Sequence, residues 1–283
     1  MARNLIIWRI LLREFKHPKL CNPFASYNLI MDIQTYLTRI RYVKPVRPDA
    51  QTLEGLHLAH MQNVPFENLD IGRKRPILLT EEALWDKIIA RKRGGFCYEL
   101  NGLFALLLKE IGFEITYLNA RVYNREGELG IDFDHLALLV ATTDEGIRWL
   151  ADVGFGDSFN LPLKFEERGE QNQGLRSYRL EQTRDGYTTW QQNYDGKWER
   201  QYFFDLQPRK FPTDYEPACF YHQTSPESSF TRGSIISRAT ADGRVSLEDG
   251  RLILTQNGQR STRSLPGRDE YYVLLKEYFD VTL

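Results

Sequence analysis

The stretch Arg93-Gly94-Gly95-Phe96-Cys97-Tyr98-Glu99-Leu100-Asn101 decides how the first half of the chain is read. Two glycines interrupt one helical pattern, and a cysteine stands where the next begins. Upstream, Thr80 is placed as an N-cap, Glu81 and Glu82 fall in the first turn, and Leu84, Ile88 and Ile89 share one face. Arg91, Lys92 and Arg93 crowd the far end, where cations suit the helix dipole, and Gly94 is expected to stop the helix. Downstream, Leu100, Phe104, Leu107, Leu108 and Ile111 recur at helical spacing until Gly112. A thiol at such a helix start feels the partial positive charge of unpaired N–H groups, which favours the nucleophilic thiolate. The same pattern also suits a small buried hydrophobe, the ordinary fate of a lone cysteine.

Toward the N-terminus, Asp32 and Asp49 are placed to cap two further helices, one over Ile33 to Ile40 and one carrying Leu53, Leu56, His60 and Met61. His57 and His60 have no carboxylate or third histidine at ligand spacing, so they read as core or solvated residues and no metal site is expected. Pro65-Phe66-Glu67-Asn68-Leu69-Asp70 leaves that helix in extended form. Residues 1–30 differ in character, with Arg3, Arg9, Arg13, Lys16 and Lys19 among Leu5, Ile6, Ile7, Trp8 and Leu11. The favoured reading is an extension ahead of a start at Met31; the alternative is a basic amphipathic helix that touches membrane.

Toward the C-terminus the period changes from helical to alternating. Ile115, Tyr117 and Val122, then His135 to Ala141 and Trp149 to Val153, read as strands. Asp185-Gly186 and Asp195-Gly196 punctuate runs rich in Tyr, Thr, Trp and Phe, which marks hairpins and argues for a small barrel or open antiparallel sheet from about 113 to 220. Asp249-Gly250 and Asn257-Gly258 repeat that signal, with Val245, Leu247, Leu252 and Leu254 alternating around the first of them. Pro266 and Asp269 introduce a last helix bearing Tyr271, Leu274, Leu275 and Tyr278.

Composition narrows the function classes. With 283 residues, 42% hydrophobic and 27% charged, the chain can bury a substantial core. A formal net charge of -1 gives no electrostatic reason to expect nucleic acid or an anionic membrane as partner. Cys21, Cys97 and Cys219 are odd in number, far apart and without CxxC spacing, so neither a disulfide framework nor a zinc site is expected and a reducing, cytoplasmic compartment fits best. No apolar run reaches the roughly 20 residues that span a bilayer.

A cysteine nucleophile needs a base and a group that orients the base. Of the five histidines, His17 lies in the extension, His57 and His60 in the helical part, and His222 in a polar stretch. His135 stands apart, at the head of an apolar strand where a polar tip can enter a cleft. A neighbouring strand supplies Asp152 inside Trp149-Leu150-Ala151-Asp152-Val153, where an ionised carboxylate needs a partner. Asp134 is the rival orienter, less favoured because adjacent strand residues point to opposite faces. Gly154-Phe155-Gly156 follows, and its glycines would let a ligand or another backbone approach closely.

Four motifs in one order, Pro65 to Asp70, Arg93 to Asn101, Asp134-His135-Leu136 and Asp152 to Gly156, resemble the arylamine N-acetyltransferase family. Thirty-eight residues separate Cys97 from His135 and 17 separate His135 from Asp152, which also resembles that family. The likeness covers the chain from Met31. It implies an α+β fold with a papain-like core: an N-terminal helical bundle over 31–112, a central antiparallel β-barrel over 113–220 and a C-terminal α/β lid over 221–283. It further implies a Cys97, His135 and Asp152 triad, an aryl pocket lined by Phe66 and Phe155, acetyl-CoA as co-substrate and an aromatic amine or hydrazine as acceptor. Thr224 to Phe230 resembles the segment that leads into the family's lid. Backbone N–H groups near Gly154 and Gly156 are expected to help hold the CoA. Rival expectations keep the triad but use water or lysine as acceptor, close a long acyl chain as an amide, or leave Cys97 inert in a binding cleft.

Overall fold

The helices begin where side chains replace missing backbone partners. Asp32 accepts from the Thr35 N–H to open α1 (Ile33–Arg39), and Asp49 accepts from the Thr52 N–H to open α2 (Ala50–Asn63). The computed structural model describes residues 31–144 and 146–283; the expected extension over 1–30, with His17 and Cys21, lies outside the described residues. After α2 the chain extends as β1 (Phe66–Glu67) and turns through α3 (Leu69–Gly72). Thr80 accepts from Ala83 N–H to open α4 (Glu81–Trp85), which runs into a π-helical turn, Asp86–Ala90.

That turn ends at Arg91 and Lys92, short of the expected stop at Gly94, and Lys92 takes φ 53°. Gly94 serves another purpose. A Cβ there would lie 1.9 Å from the Pro65 carbonyl oxygen, so only glycine lets the two segments pass. Then α5 (Cys97–Ile111) starts at the cysteine, buries Leu100, Phe104, Leu107 and Leu108, and ends at Gly112 with φ 107°.

Eight strands form a nearly closed antiparallel barrel: β2 (Glu114–Val122), β3 (His135–Ala141), β4 (Arg148–Ala151), β5 (Leu163–Lys164), β6 (Gln171–Asn172), β7 (Ser177–Gln182), β8 (Tyr187–Gln192) and β9 (Trp198–Phe204). Their order is β5-β4-β3-β2-β9-β8-β7-β6. Strand β3 explains its own unbroken apolar run. Leu136, Leu138 and Val140 face the helical core around α5, while Ala137 and Leu139 fill the barrel interior. Both faces are therefore dry, and the residue at the strand's head is fixed relative to the helix.

The chain continues through α6 (Glu216–Thr224) and α7 (Ser229–Arg232) into β10 (Ile235–Thr240), β11 (Gly243–Glu248), β12 (Arg251–Gln256), β13 (Gln259–Ser264) and α8 (Arg268–Phe279). Val245 faces Leu254 and Leu247 faces Leu252 across β11 and β12, in the register that the Asp249-Gly250 turn implies. Helix α8 covers this sheet with Leu274, Leu275 and Phe279. Strand β1, read as part of an extended loop, is the fifth strand here, pairing Phe66 with Ser237 and Glu67 with Ile236. The α+β architecture with helices, barrel and a further sheet is as the resemblance implied. Among the described residues, no helix is long and apolar enough to cross a membrane.

Candidate active site

Cys97 is the first residue of α5, and three segments close around it. Glu99 reaches back to accept the Phe96 N–H at 3.1 Å, which fixes the helix start. A Cβ on Gly154 would stand 2.8 Å from the Cys97 Cα, so the chain after β4 lies directly on the cysteine backbone. From β3, the Leu136 N–H donates to the sulfur. Tyr98 Oη donates to the Phe133 carbonyl at 2.7 Å, tying the helix start to the turn that leads into His135.

His135 and Asp152 meet. His135 Nε2 lies 2.7 Å from Asp152 Oδ2, and both side chains are buried. The second carboxylate oxygen accepts from Asn101 Nδ2 at 2.8 Å and from the Gly154 N–H at 2.9 Å. Asn101 follows Cys97 by one helical turn, and its other contacts run to the Leu136 carbonyl at 2.6 Å and the Val153 N–H at 2.9 Å. One amide therefore holds the ends of β3 and β4 against the helix that carries the cysteine. His57 supports the same point from α2: its Nε2 accepts the Asp152 N–H at 3.1 Å and its Nδ1 meets the Asn160 carbonyl at 2.7 Å. Sequence reading gave neither Asn101 nor His57 a role. The available signal for Asn101 was its spacing of four from Cys97; for His57 there was none.

Asp134, the rival orienter, is engaged elsewhere. Its Oδ1 lies 3.0 Å from His222 Nε2, whose ring meets Ser228 Oγ through Nδ1 at 3.0 Å.

Electrostatics separate these groups. Burial alone would raise the Asp152 pKa, but His135, Asn101 and the Gly154 N–H outweigh it and hold the carboxyl below the ordinary range. Burial pushes His57 down to about 4 against its hydrogen bonds, so it is neutral at pH 7. The thiol of Cys97 goes the other way from the helix-start expectation. Burial pushes it well up, with Asp134 and Asp152 adding to the effect and the Leu136 N–H opposing it. Burial thus opposes a bare thiolate in this dry position.

Behind the Gly94-Gly95 turn lies a second buried cluster. Lys87 Nζ is 2.7 Å from Glu99 Oε1 and 2.9 Å from Asp70 Oδ2, while Arg93 Nη2 is 2.7 Å from Glu67 Oε1 and 3.2 Å from Asp70 Oδ1. Arg93, read from sequence as a cation suited to the helix end, is therefore buried in an ion-pair cluster.

A cleft of ≈ 580 Å³ opens beside the site, with Phe66, Phe155 and Gly156 at one part of its wall and Arg176, Arg244 and Arg260 at others. Phe155 packs edge-on against the His135 ring at 5.2 Å between centroids. Phe155 thus stands between the cleft and the buried His135. Gly156, at φ 94°, lines the cleft as a ligand-facing glycine could. Gly154 does not: it is buried against Cys97 and its N–H is committed to Asp152. Among the described residues, no group of three or more His, Cys, Asp or Glu side chains is arranged to hold a metal ion.

A family model described as N-acetyltransferase matches residues 49–283. An arylamine N-acetyltransferase of Mycolicibacterium smegmatis is 36% identical over 81% of this chain and 84% of its own length. A solved M. smegmatis arylamine N-acetyltransferase superposes with a TM-score of 0.84 at 34% identity, covering 89% of this chain and 93% of that one. The Mycobacterium marinum arylamine N-acetyltransferase solved in complex with CoA superposes with a TM-score of 0.83 at 29% identity, over 88% and 93% of the two chains. On the match of sequence, architecture and length together, this acyltransferase belongs to the arylamine N-acetyltransferase family.

Proposed function

We propose that the chain transfers an acetyl group from acetyl-CoA to an arylamine or arylhydrazine by a ping-pong route through an acetyl-cysteine at Cys97. The observation that carries this reading is the buried His135–Asp152 pair, bound by Asn101 to the helix that begins with Cys97. The proton of Cys97 passes to His135; burial of the sulfur opposes this, and ionised Asp152 stabilises the ion pair so formed. The donor supplies an activated acetyl thioester. Cys97 Sγ bonds to the acetyl carbon as the C–S bond to the carrier breaks, and the departing thiolate takes the proton from His135. Neutral His135 then accepts a proton from the amine nitrogen as the C–N bond forms and the bond to Sγ breaks, which restores the ion pair. An aryl amine is already neutral at pH 7, so it needs no prior deprotonation.

For the donor, the ≈ 580 Å³ cleft is a suitable seat, since it runs to Phe66 and Phe155 and contains three arginines. Arg176 and Arg244 share Asp157 at 2.8 and 3.0 Å, whereas Arg260 makes no ion pair among the described residues and is the cation we assign to a donor phosphate. Gly156 is assigned to the same ligand, and Phe66 and Phe155 to the aryl ring of the acceptor. A reducing, cytoplasmic setting suits a mechanism that needs Cys97 as a free thiol.

Mass spectrometry after incubation with acetyl-CoA alone tests the proposal. The expected result is a gain of one acetyl on the peptide containing Cys97, removed when an arylamine is added. Rapid acetate release without amine would identify a hydrolase instead, and an unmodified Cys97 peptide would overturn the acetyl-cysteine route.

A further inference from the structure

A small cavity of ≈ 210 Å³ lies apart from the triad, bordered by α1, the end of the π-helical turn, β10 and the C-terminal end of α8. Its charged lining is one-sided: Arg39, Arg41, Lys92 and Arg238 face it, with Asp280 as the one acid among the described lining residues. Asp280 is also paired with Lys276, outside the cavity. Among the described residues, four cations around one shared carboxylate leave an excess of positive charge in a chain whose formal net charge is -1.

Arg39 and Arg238 are half-buried, whereas Arg41 and Lys92 are exposed at the cavity's rim. Arg39 is clamped by carbonyls, with Nε donating to Ile88 at 2.9 Å, Nη1 to Asn63 at 2.6 Å and Nη2 to Arg93 at 3.1 Å. Burial, and then repulsion from Arg238 and Arg41, push its pKa down to about 10 against the opposing pull of Tyr36 and Asp280. Arg238 donates through Nη2 to the Tyr278 carbonyl, yet its buried Nε has no partner. Burial and Arg41 lower its pKa as well. The side chains of Arg41 and Lys92 make no hydrogen bond or ion pair among the described residues, although the Lys92 carbonyl accepts from Arg39 Nη2 at 3.2 Å, and both residues hold positive φ, at 58° and 53°. A site that holds cations in mutual repulsion, with a buried donor unused, is organised for an anion.

We propose that this cavity binds a phosphate group, free or carried as a monoester by a small molecule. A dianion matches the excess charge better than a carboxylate does, and guanidinium groups present paired donors that fit its oxygens. A cavity of ≈ 210 Å³ accommodates one phosphate with a short organic stub. Because Arg39 holds the Arg93 carbonyl, two residues before Gly95, the bound anion would brace the turn behind Cys97.

Calorimetric titration of the full chain with inorganic phosphate, and separately with glycerol 3-phosphate, at ionic strength held constant with sodium chloride, tests this. Saturable binding of one anion per chain is expected, weakened at least tenfold in Arg238→Met and in Arg41→Gln. The exposed position of Arg41 makes that second variant safe for folding. Arg263→Gln, which removes a guanidinium paired with Glu270 elsewhere, should bind as the parent does. Binding of phosphate alone supports a free-anion site, and tighter binding of the monoester supports a carried phosphate. Absence of saturable binding, full affinity in both cavity variants, or displacement by CoA overturns the proposal. The acetyl-transfer reading would survive any of those results, since none of these side chains touches Cys97, His135 or Asp152.

Discussion

Two buried polar clusters flank Cys97, and they are built on opposite principles. Behind the glycine turn, Lys87 and Arg93 face Glu67, Asp70 and Glu99, all with side chains at most 8% exposed. Opposites cancel there except for one surplus carboxylate, and Glu99 is pushed up by burial despite Lys87. On the other side a lone carboxylate, Asp152, is surrounded by donors and held below its ordinary pKa. The first cluster joins β1, α3, the π-helical turn and the start of α5, so its charges hold chain segments together. The second fixes the protonation state of one group. Damage to the first should cost stability, and damage to the second should cost rate.

The largest effect expected is on the rate side. Asp152→Asn keeps the shape but removes the charge that stabilises protonated His135, and about a 10⁴-fold loss of kcat in acetyl transfer is expected, as for orienting carboxylates in comparable triads. Stopped acetylation kinetics with the folded variant would check it. A loss below tenfold would break the contrast, because Asp152 would then be another structural charge.

Lys87→Met probes the opposite cluster. It strands Glu99 and Asp70 beside Glu67 with only Arg93 to answer three carboxylates, and an unpaired buried charge costs about 3–5 kcal/mol. Denaturant unfolding should show that loss, while kcat per folded molecule stays within a few fold. The double variant Lys87→Met/Glu99→Leu should recover part of the stability, because removing both partners of a buried pair is cheaper than removing one. Equal damage in single and double variants would mean that Glu99 matters only through the Phe96 N–H that it accepts.

The same contrast explains what the sequence disclosed. Periodicity and caps are local, so Asp32, Asp49, Thr80 and the Asp-Gly turns placed most helices and hairpins near their observed ends. Asp152 was legible because a charge inside an apolar strand demands a partner, and β3 lies alongside β4 to provide it. The charged layer was not legible. Arg93 occupies a position where a cation normally caps a helix, and nothing nearby in sequence announces that Glu67 sits 2.7 Å away. Gly94 likewise read as a stop signal, although its role is set by the Pro65 carbonyl, twenty-nine residues earlier. His57 gave no sign because both of its partners come from more than ninety residues downstream. The aryl-pocket and triad assignments came through the family resemblance and the charge argument, not from periodicity.

His57 sharpens the comparison through pH. It is buried neutral with a pKa of about 4, whereas a free imidazole titrates near 6.5. Above pH 6.5 neither folded nor unfolded chain binds the proton, so the group contributes no pH dependence. As pH falls from 6.5 toward 4 the unfolded chain takes a proton that the folded one refuses, and about 3 kcal/mol of stability is lost. Chemical denaturation at pH 7.5, 6 and 5 should show a steeper decline for the parent than for His57→Gln. Parallel declines would place the loss elsewhere, first in His60, whose imidazole burial also holds well below its ordinary range.

The smallest effect tests whether the two principles meet in one residue. Asn101 is both a strut, through the Leu136 carbonyl and the Val153 N–H, and a donor to Asp152. In Asn101→Leu the carboxylate keeps His135 and the Gly154 N–H but loses one of the groups that hold its pKa down. Its pKa must then rise, so the acid limb of kcat/KM should move to higher pH, with a fall of about 10–100-fold near neutrality from the loosened geometry. A strut alone predicts the fall without the displaced limb, because weaker positioning lowers the rate equally at every pH. A pH–rate profile of the variant against the parent therefore separates the two contributions: a displaced limb assigns Asn101 to the protonation side of the site, and an unmoved one assigns it to the scaffold that Lys87 and Glu99 already represent.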